Sequence, residues 1–395
     1  MEGKYLFTSE AVSPGHPDKI CDKIADAILD ACLKEDSDAR CATECLFIDD
    51  LLILGGEISF KKPQISINYE KIARDVVIGL GYDHDAYGLL NGHKMRIENH
   101  IRTQSIEIAN AVNDDDILKL GAGDQGIMFG YACNESSSYL PLAHLLSLEL
   151  VKLATEKMKS GEFKHARPDM KSEVSIEYDN GKPIAIKNMV MSVQHDENID
   201  IDSFRNYVLN DIMKVVAKRH HLNEDFTYFI NPSNSFVVGG PLGDTGLTGR
   251  KIIVDTYGGY AHHGGGSFSG KDPSKVDRTG AYLARYIAKN IVASGIASRA
   301  EVQLGYVISQ KDALTLTVDT FGTSKYSPSY LSNMAKTIFD TVPGKIIENF
   351  KLNKPSFRYQ DTSNYSAFYH DDLDLPWEKL DKVEEIKKYI VHNDE

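Results

Sequence analysis

Lysine and arginine side chains set among glycines are a common means of gripping polyphosphate, and residues 264–278, GGGSFSGKDPSKVDR, supply both. Gly265, Gly270 and Lys271 fit the G-x-x-x-x-G-K portion of a P-loop, but Asp272 stands where that loop requires Ser or Thr for its magnesium ion. A P-loop also needs a strand immediately before its glycines, and YGGYAHHGGG offers none. Eleven of the chain's 30 glycines fall between 239 and 270. In that stretch or just beyond it stand Arg250, Lys251, Lys271, Lys275 and Arg278, against Asp244, Asp255, Asp272 and Asp277. Glycine at this density lets backbone N–H groups approach an anion, at an entropic cost that a plain solvated loop has no reason to bear. Asp272 followed by Pro273 predicts an N-cap and first helical position, which sets Lys271 just before a helix N-terminus and Lys275 and Asp277 in its first turns.

Two further stretches carry candidate chemistry. In SPGHPDK, His16 and Asp18 stand at the mouth of a helix. Asp18 either complements the helix dipole or serves as a hard oxygen ligand for magnesium, with His16 as a donor to the reacting centre. In GAGDQG, residues 121–126, Asp124 lies amid three glycines, a pattern that serves equally as a turn before the strand IMFGYA. Glu57 follows two glycines in LGGE, an unusual ending for an apolar strand unless its charge meets a ligand or solvent. Nothing resembles a Ser-His-Asp or Cys-His nucleophile arrangement, so the chemistry rests on positioning and charge.

Composition bounds the partners. A net charge of -13 repels nucleic acid and anionic lipid, so a polyanion site must be a local exception. Apolar residues at 42% and charged residues at 26% belong to a soluble globular protein, and 395 residues exceed what one core serves, which predicts two or three domains. MEGKYLFTSEAVS reads as no secretory signal, and YLPLAHLLSLELVKLA is interrupted by His144, Glu149 and Lys152, so no membrane span is expected. Of the five cysteines only Cys41 and Cys45 lie close together, without a partnering His, so reduced, buried thiols in a cytoplasmic protein are expected.

The elements that must position these residues recur in order. HPDKICDKIADAILDACLKE reads as a helix with Ile20, Ile24 and Ile28 on one face. The strands CATECLFI and LLILGGEIS follow, turning at Asp49 and Asp50, and then a helix over 69–79. The same order returns as YLPLAHLLSLELVKLATEKM, a hairpin turning at Asn180 and Gly181, and DSFRNYVLNDIMKVVAKRH. A third copy runs from DPSKVDRTGAYLARYIAKNIVA through AEVQLGYVI and ALTLTVDTF to SYLSNMAKTIFD. Helix, hairpin, helix thus appears three times at a spacing of roughly 125 residues, with little residue identity between copies, which predicts three α+β modules of one plan. The tail KVEEIKKYIVHNDE reads as a solvated helix.

The motifs GHPDK, LGGE, GAGDQGIMFGYA, RPDMKSEV, GGPLGDTGLTGRKIIVDTYGG and HGGGSFSGKDPSKVDR, in this order over nearly the full length, resemble the S-adenosylmethionine synthetase (methionine adenosyltransferase) family. The resemblance implies three similar α+β domains related by pseudo-threefold symmetry, with boundaries expected at 4–103, 120–237 and 238–376. It implies transfer of the adenosyl group of ATP to the sulfur of L-methionine, by in-line attack at C5′, then hydrolysis of the triphosphate to pyrophosphate and phosphate. It also implies two Mg2+ ions and K+ at sites lying between subunits of a dimer, or of a tetramer of two dimers.

Matched position by position, the resemblance puts His16 near the ATP ribose and phosphates, Asp18 and Asp277 on magnesium, and Glu44 on potassium. Asp169 and Lys171 match ATP contacts, Ser235 and Phe236 fall at the adenine, and Ser267 lies in the same pocket wall. Arg250, Lys251 and Lys271 would grip the triphosphate. Glu57, Gln104 and Lys275 match methionine contacts, and Asp244 touches both substrates. The chain departs from the family pattern in three places. QSIEIANAV lacks the proline and glycine of the family's mobile loop, Ser235 stands where Arg is common, and Ser267 where Ala is common. A P-loop-like kinase or NTPase, and a nucleotide sensor without turnover, are the competing classes.

Overall fold

The computed structural model describes residues 3–103, 121–308 and 310–393, the final two by their backbone alone. Alternation of apolar and polar residues gives three antiparallel hairpins, as expected. They are β2 (Arg40–Ile48) with β3 (Leu51–Ser59), β6 (Ala166–Asp179) with β7 (Lys182–His195), and β10 (Arg299–Tyr306) with β11 (Thr315–Asp319). The second turns at Asn180 and Gly181, both at positive φ (49° and 80°), the conformation a two-residue hairpin loop of this hand demands.

Each hairpin is completed by a strand from a different part of the chain. β1 (Lys4–Val12) lies antiparallel to β6, β5 (Gly126–Cys133) to β10, and β9 (Gly246–Leu247) to β2. The exchange is cyclic: the first segment lends a strand to the second, the second to the third, and the third to the first. On the far edge, β4 (Arg96–Thr103) and β8 (Thr227–Ile230) run parallel to β3 and β7. The modules read from the sequence are therefore interlocked, which a pattern of local periodicities does not disclose.

Against each sheet lies one long helix, Pro17–Glu35, Leu142–Ser160 or Val276–Ala293. Ile20, Ile24 and Ile28 are fully buried, facing the Cys41, Thr43, Cys45 and Phe47 side of β2. The other face of β2 and β3 presents Glu44, Leu46, Ile48, Leu51, Ile53 and Glu57 outward or half-covered. Contact between Val276–Ala293 and β5 is close because Gly130 has no side chain: a Cβ there would lie 2.0 Å from the Ala284 carbonyl carbon. Gly130→Ala is accordingly expected to push the helix off its sheet at a cost of about 1–3 kcal/mol, read as a lowered unfolding midpoint in a thermal scan.

Three expectations are corrected. The third long helix does not start at Asp272 and Pro273; it starts at Val276 with Lys275 as its cap. The Asp272 carboxylate is drawn instead to the edge of β2, where it accepts from Cys41 N (2.8 Å), while also accepting from Ser274 N and pairing with Lys275. The segment read as one helix over 202–220 is interrupted by a π-helical turn, Val208–Met213, whose wider pitch brings Val208, Ile212 and Met213 all inward. The C-terminal helix Val383–Asn393 is not wholly solvated, since Ile386 and Ile390 are buried.

Candidate functional site

The glycine-rich stretch and SPGHPDK converge on the helix Pro17–Glu35. Its acidic residues Asp18, Asp22 and Asp26 recur every fourth position, so they share one face. Each carboxylate accepts a backbone N–H from the glycine-rich region: Leu247 N to Asp18 (3.0 Å), Gly249 N to Asp22 (2.8 Å) and Gly270 N to Asp26 (2.9 Å). Each also has a cation: Lys251 Nζ on Asp18 (2.6 Å), Lys19 on Asp22 (3.0 Å), and Arg278 on both oxygens of Asp26. Asp30 extends the series, accepting Tyr359 N and Gln360 N. Thus the glycines and bases noted in the sequence are strung along a column of carboxylates.

Around the helix N-terminus stands the first group of site residues. His16 is the N-cap, its Nδ1 accepting from Asp18 N (3.1 Å). Burial, joined by the charge of Lys251, lowers its pKa to about 3, so the imidazole is neutral at physiological pH. Burial would raise the Asp18 carboxyl, but hydrogen bonds from Lys251 and Leu247 N outweigh it and hold the group below the usual carboxylate range. The Arg250 guanidinium lies 3.7 Å from Asp18 and is half exposed. Asp169 accepts from Gly240 N through Oδ2 (2.8 Å), its Oδ1 is buried without a partner, and burial pushes its pKa up to about 6. Lys171, exposed on β6, and Asp244, exposed after Leu242, act electrostatically on His16 and Asp169 respectively. Phe236 leads into this group, held by His195 through two hydrogen bonds, Phe236 N to Nε2 and His195 N to the Phe236 carbonyl; Ser235 beside it is exposed.

A second group lies farther along. Lys271 pairs by its backbone with Ala42 of β2, and its Nζ reaches Asp277 (2.6 Å). Glu57 is the cross-strand partner of Ala42, and Glu44 is two residues on, so all these side chains share the outer face of that sheet. Lys275 is tied to Asp272 (2.7 Å). A Cβ on Gly266 would strike the Asp277 carboxylate at 2.3 Å, and one on Gly264 would strike the Ile127 carbonyl at 1.6 Å. Glycine is therefore required at 264 and 266 by close approach to Asp277 and β5. Ser267 fills the space beside Gly249, between the two groups. Asp18 and Asp26 are eight helical residues apart, about 12 Å. No hydrogen bond or ion pair among the described residues joins the first group to the second. Gln104 lies outside the described residues.

Lys19, Asp22, Asp26, Asp255 and Arg278 form a buried charge network, with Lys19 also hydrogen-bonded to Asp255; Arg278 and Asp255, counted in the sequence with the charged residues of the glycine-rich stretch, are thus buried in ion pairs, and Lys19, Asp22 and Asp26 were not anticipated. The fourfold spacing of aspartates in PDKICDKIADAILD was its visible signal. Lys271 is followed by a turn and not by a helix, and no strand precedes Gly264, so the stretch is not a P-loop. All five cysteines are free and buried, and among the described residues none joins a cluster fit to hold a metal by itself. No helix in the described residues is long and apolar enough to cross a membrane.

Comparison with known proteins finds similarity along nearly the whole chain. Residues 4–106 match the family model described as S-adenosylmethionine synthetase, N-terminal domain, residues 119–236 the central domain, and residues 238–379 the C-terminal domain. The S-adenosylmethionine synthase of Mesoplasma florum is 50% identical over 97% of this chain and 99% of its own length. That of Mycoplasma mycoides subsp. mycoides is 50% identical over 98% and 97%, and that of Clostridium botulinum 45% identical over 98% and 100%. With three domains matched in order and about half of all residues shared across both full lengths, the chain belongs to the S-adenosylmethionine synthetase family.

Proposed function

We propose that this chain transfers the adenosyl group of ATP to L-methionine and then hydrolyses the triphosphate to pyrophosphate and phosphate. The observation that carries the reading is a repeated one: Lys251 on Asp18 and Lys271 on Asp277, each a cation paired with a carboxylate beside glycine-lined backbone, in a chain of net charge -13. The methionine sulfur attacks C5′ in line; the C5′–O bond breaks, its electrons leave with the triphosphate, and the sulfur becomes a sulfonium. A thioether needs no base. What the residues must do is hold sulfur, carbon and leaving oxygen in line, an effect worth up to roughly 7–11 kcal/mol, and meet the charge growing on the leaving chain.

Arg250, Lys251 and Lys271 receive that charge. Neutral His16 donates toward the ribose and phosphates, Lys171 and Asp169 orient ATP, Phe236 with Ser235 and Ser267 faces the adenine, and Asp244 contacts both substrates. Glu57 takes the methionine ammonium, with Gln104 and Lys275 as further contacts. Asp18 and Asp277 fit magnesium, because each offers a hard carboxylate oxygen beside a phosphate-gripping cation, and this metal takes one or two carboxylates with the rest from phosphate and water. Two Mg2+ ions would neutralise leaving-group charge, and K+ would lie at Glu44 on the outer sheet face.

The two groups are anchored on one helix at Asp18 and Asp26, about 12 Å apart, and this separation supports a site completed by a second copy, the first group of one subunit facing the second group of its partner. The half-covered apolar face of β2 and β3 supports self-association as a dimer or a tetramer of two dimers. The cyclic strand exchange supports pseudo-threefold relation of domains 4–103, 120–237 and 238–376. Five free thiols support a cytoplasmic setting.

Protein incubated with ATP, methionine, magnesium and potassium should yield S-adenosylmethionine by mass spectrometry. ATP hydrolysis indifferent to methionine, or nucleotide binding without turnover, would overturn the reading. Asp18→Asn should raise the magnesium concentration needed for half-maximal rate several-fold; superimposable magnesium titrations of variant and parent would remove Asp18 from the metal.

A further inference from the structure

The column of aspartates is buried at Asp18, Asp22 and Asp26, and the flank of the same helix that carries Lys23, Ala27, Asp30, Ala31 and Lys34 borders a cavity of about 1080 Å³ that no step above uses. Its other walls are the helix Tyr69–Gly79 and the segment 353–360. The floor is apolar and includes Ala31, Val76 and Phe357; the small Ala27 and Ala31 leave the space that larger residues would fill. The lining is positively charged in a negative molecule: Lys23, Lys34, Lys62, Lys354 and Arg358 against Asp30 and Asp75. Both carboxylates are engaged, Asp75 by Lys71 and Asp30 by the amides of Tyr359 and Gln360. The side chains of Lys34 and Lys354, both exposed, have no hydrogen-bond or ion-pair partner among the described residues, and Lys62 spends one contact on the Glu35 carbonyl.

We propose that this cavity is a second ligand site, for a small amphipathic organic anion: an apolar body on the alanine and phenylalanine floor, and one carboxylate, sulfonate or phosphate between Lys34 and Lys354. A polyphosphate would leave the floor uncovered, and a neutral apolar ligand would leave the lysines unmatched. The site is distinct from the adenosyl-transfer site, because none of the residues placed there lines it. It does not depend on the activity assigned above, and its test reads binding and not turnover.

The test is a fluorescence titration of the full-length assembled protein with 1-anilinonaphthalene-8-sulfonate, with and without saturating ATP and magnesium. A saturable phase of one probe per chain that persists with ATP is expected. In the double variant Lys34→Glu, Lys354→Glu, both at exposed positions, affinity should fall about tenfold, in keeping with two reversed surface charges, while adenosyl transfer stays within about twofold. Ala31→Trp should remove the phase by filling the floor. A probe that does not saturate, a phase displaced completely by ATP, or a phase unchanged in both variants overturns the proposal.

Discussion

Lys271→Ala is expected to lower kcat by about 100-fold or more, the usual loss when one preorganised charge donor to a developing anion is removed. The fold should tolerate the change, because Lys271 holds β2 through its backbone bridge to Ala42, and its side chain is only partly covered. Asp277 would lose its counter-charge but remains accessible to water and metal. Lys271→Arg should restore part of the rate by returning a cation, though not its point-like geometry. The measurement is kcat at saturating ATP and methionine, with a thermal scan as control. A Lys271→Ala protein turning over at the parental rate would take this residue out of the triphosphate grip.

Much of the fold was legible because its signals are local. The Ile20, Ile24 and Ile28 spacing, the turn at Asn180 and Gly181, and the helix over 69–79 each announce themselves within a few residues, and all stand as expected. The strand exchange was not legible, since β9 is two residues long and pairs with β2 some two hundred positions earlier in the chain. The helix start at 276 was misread because Asp272 and Pro273 make a sound local cap; the carboxylate does accept from Ser274 N, but it is shared with Cys41 N and Lys275, and the segment makes a turn before the helix begins. Glycine density marks the candidate region, yet its cause is mixed: Gly264 and Gly266 are needed for packing on Ile127 and Asp277, which composition cannot separate from anion binding. The buried pairs were missed for a related reason. A charged residue in a sequence is read as solvated or functional, whereas Asp22, Asp26 and Arg278 are neither exposed nor ligand-facing.

Those buried pairs make the second large effect one of stability. Asp26 accepts from Gly270 N and from Arg278, which in turn donates to the Lys271 carbonyl (2.8 Å) and stacks over Tyr359 at 4.6 Å. Asp26→Ala strands a guanidinium that is almost wholly buried, and the expected cost is about 3–5 kcal/mol, enough to lower the unfolding midpoint by several degrees. Asp26→Leu combined with Arg278→Met should recover much of that loss, because a buried ion pair replaced by apolar groups of similar volume is often close to neutral. The recovered stability should not bring back turnover. Without Asp26 and Arg278, the Gly270 amide and the Lys271 carbonyl lose these partners, and with the bridge to Ala42 left to hold the segment, Lys271 is expected to be less firmly aligned with Asp277. A stable double variant with low kcat is therefore expected, read by parallel thermal scans and steady-state rates. If Asp26→Ala unfolds at the parental midpoint, the column of aspartates does not secure the glycine-rich segment. If the stable double variant works at full rate, the column contributes to folding alone and the bases find their positions without it.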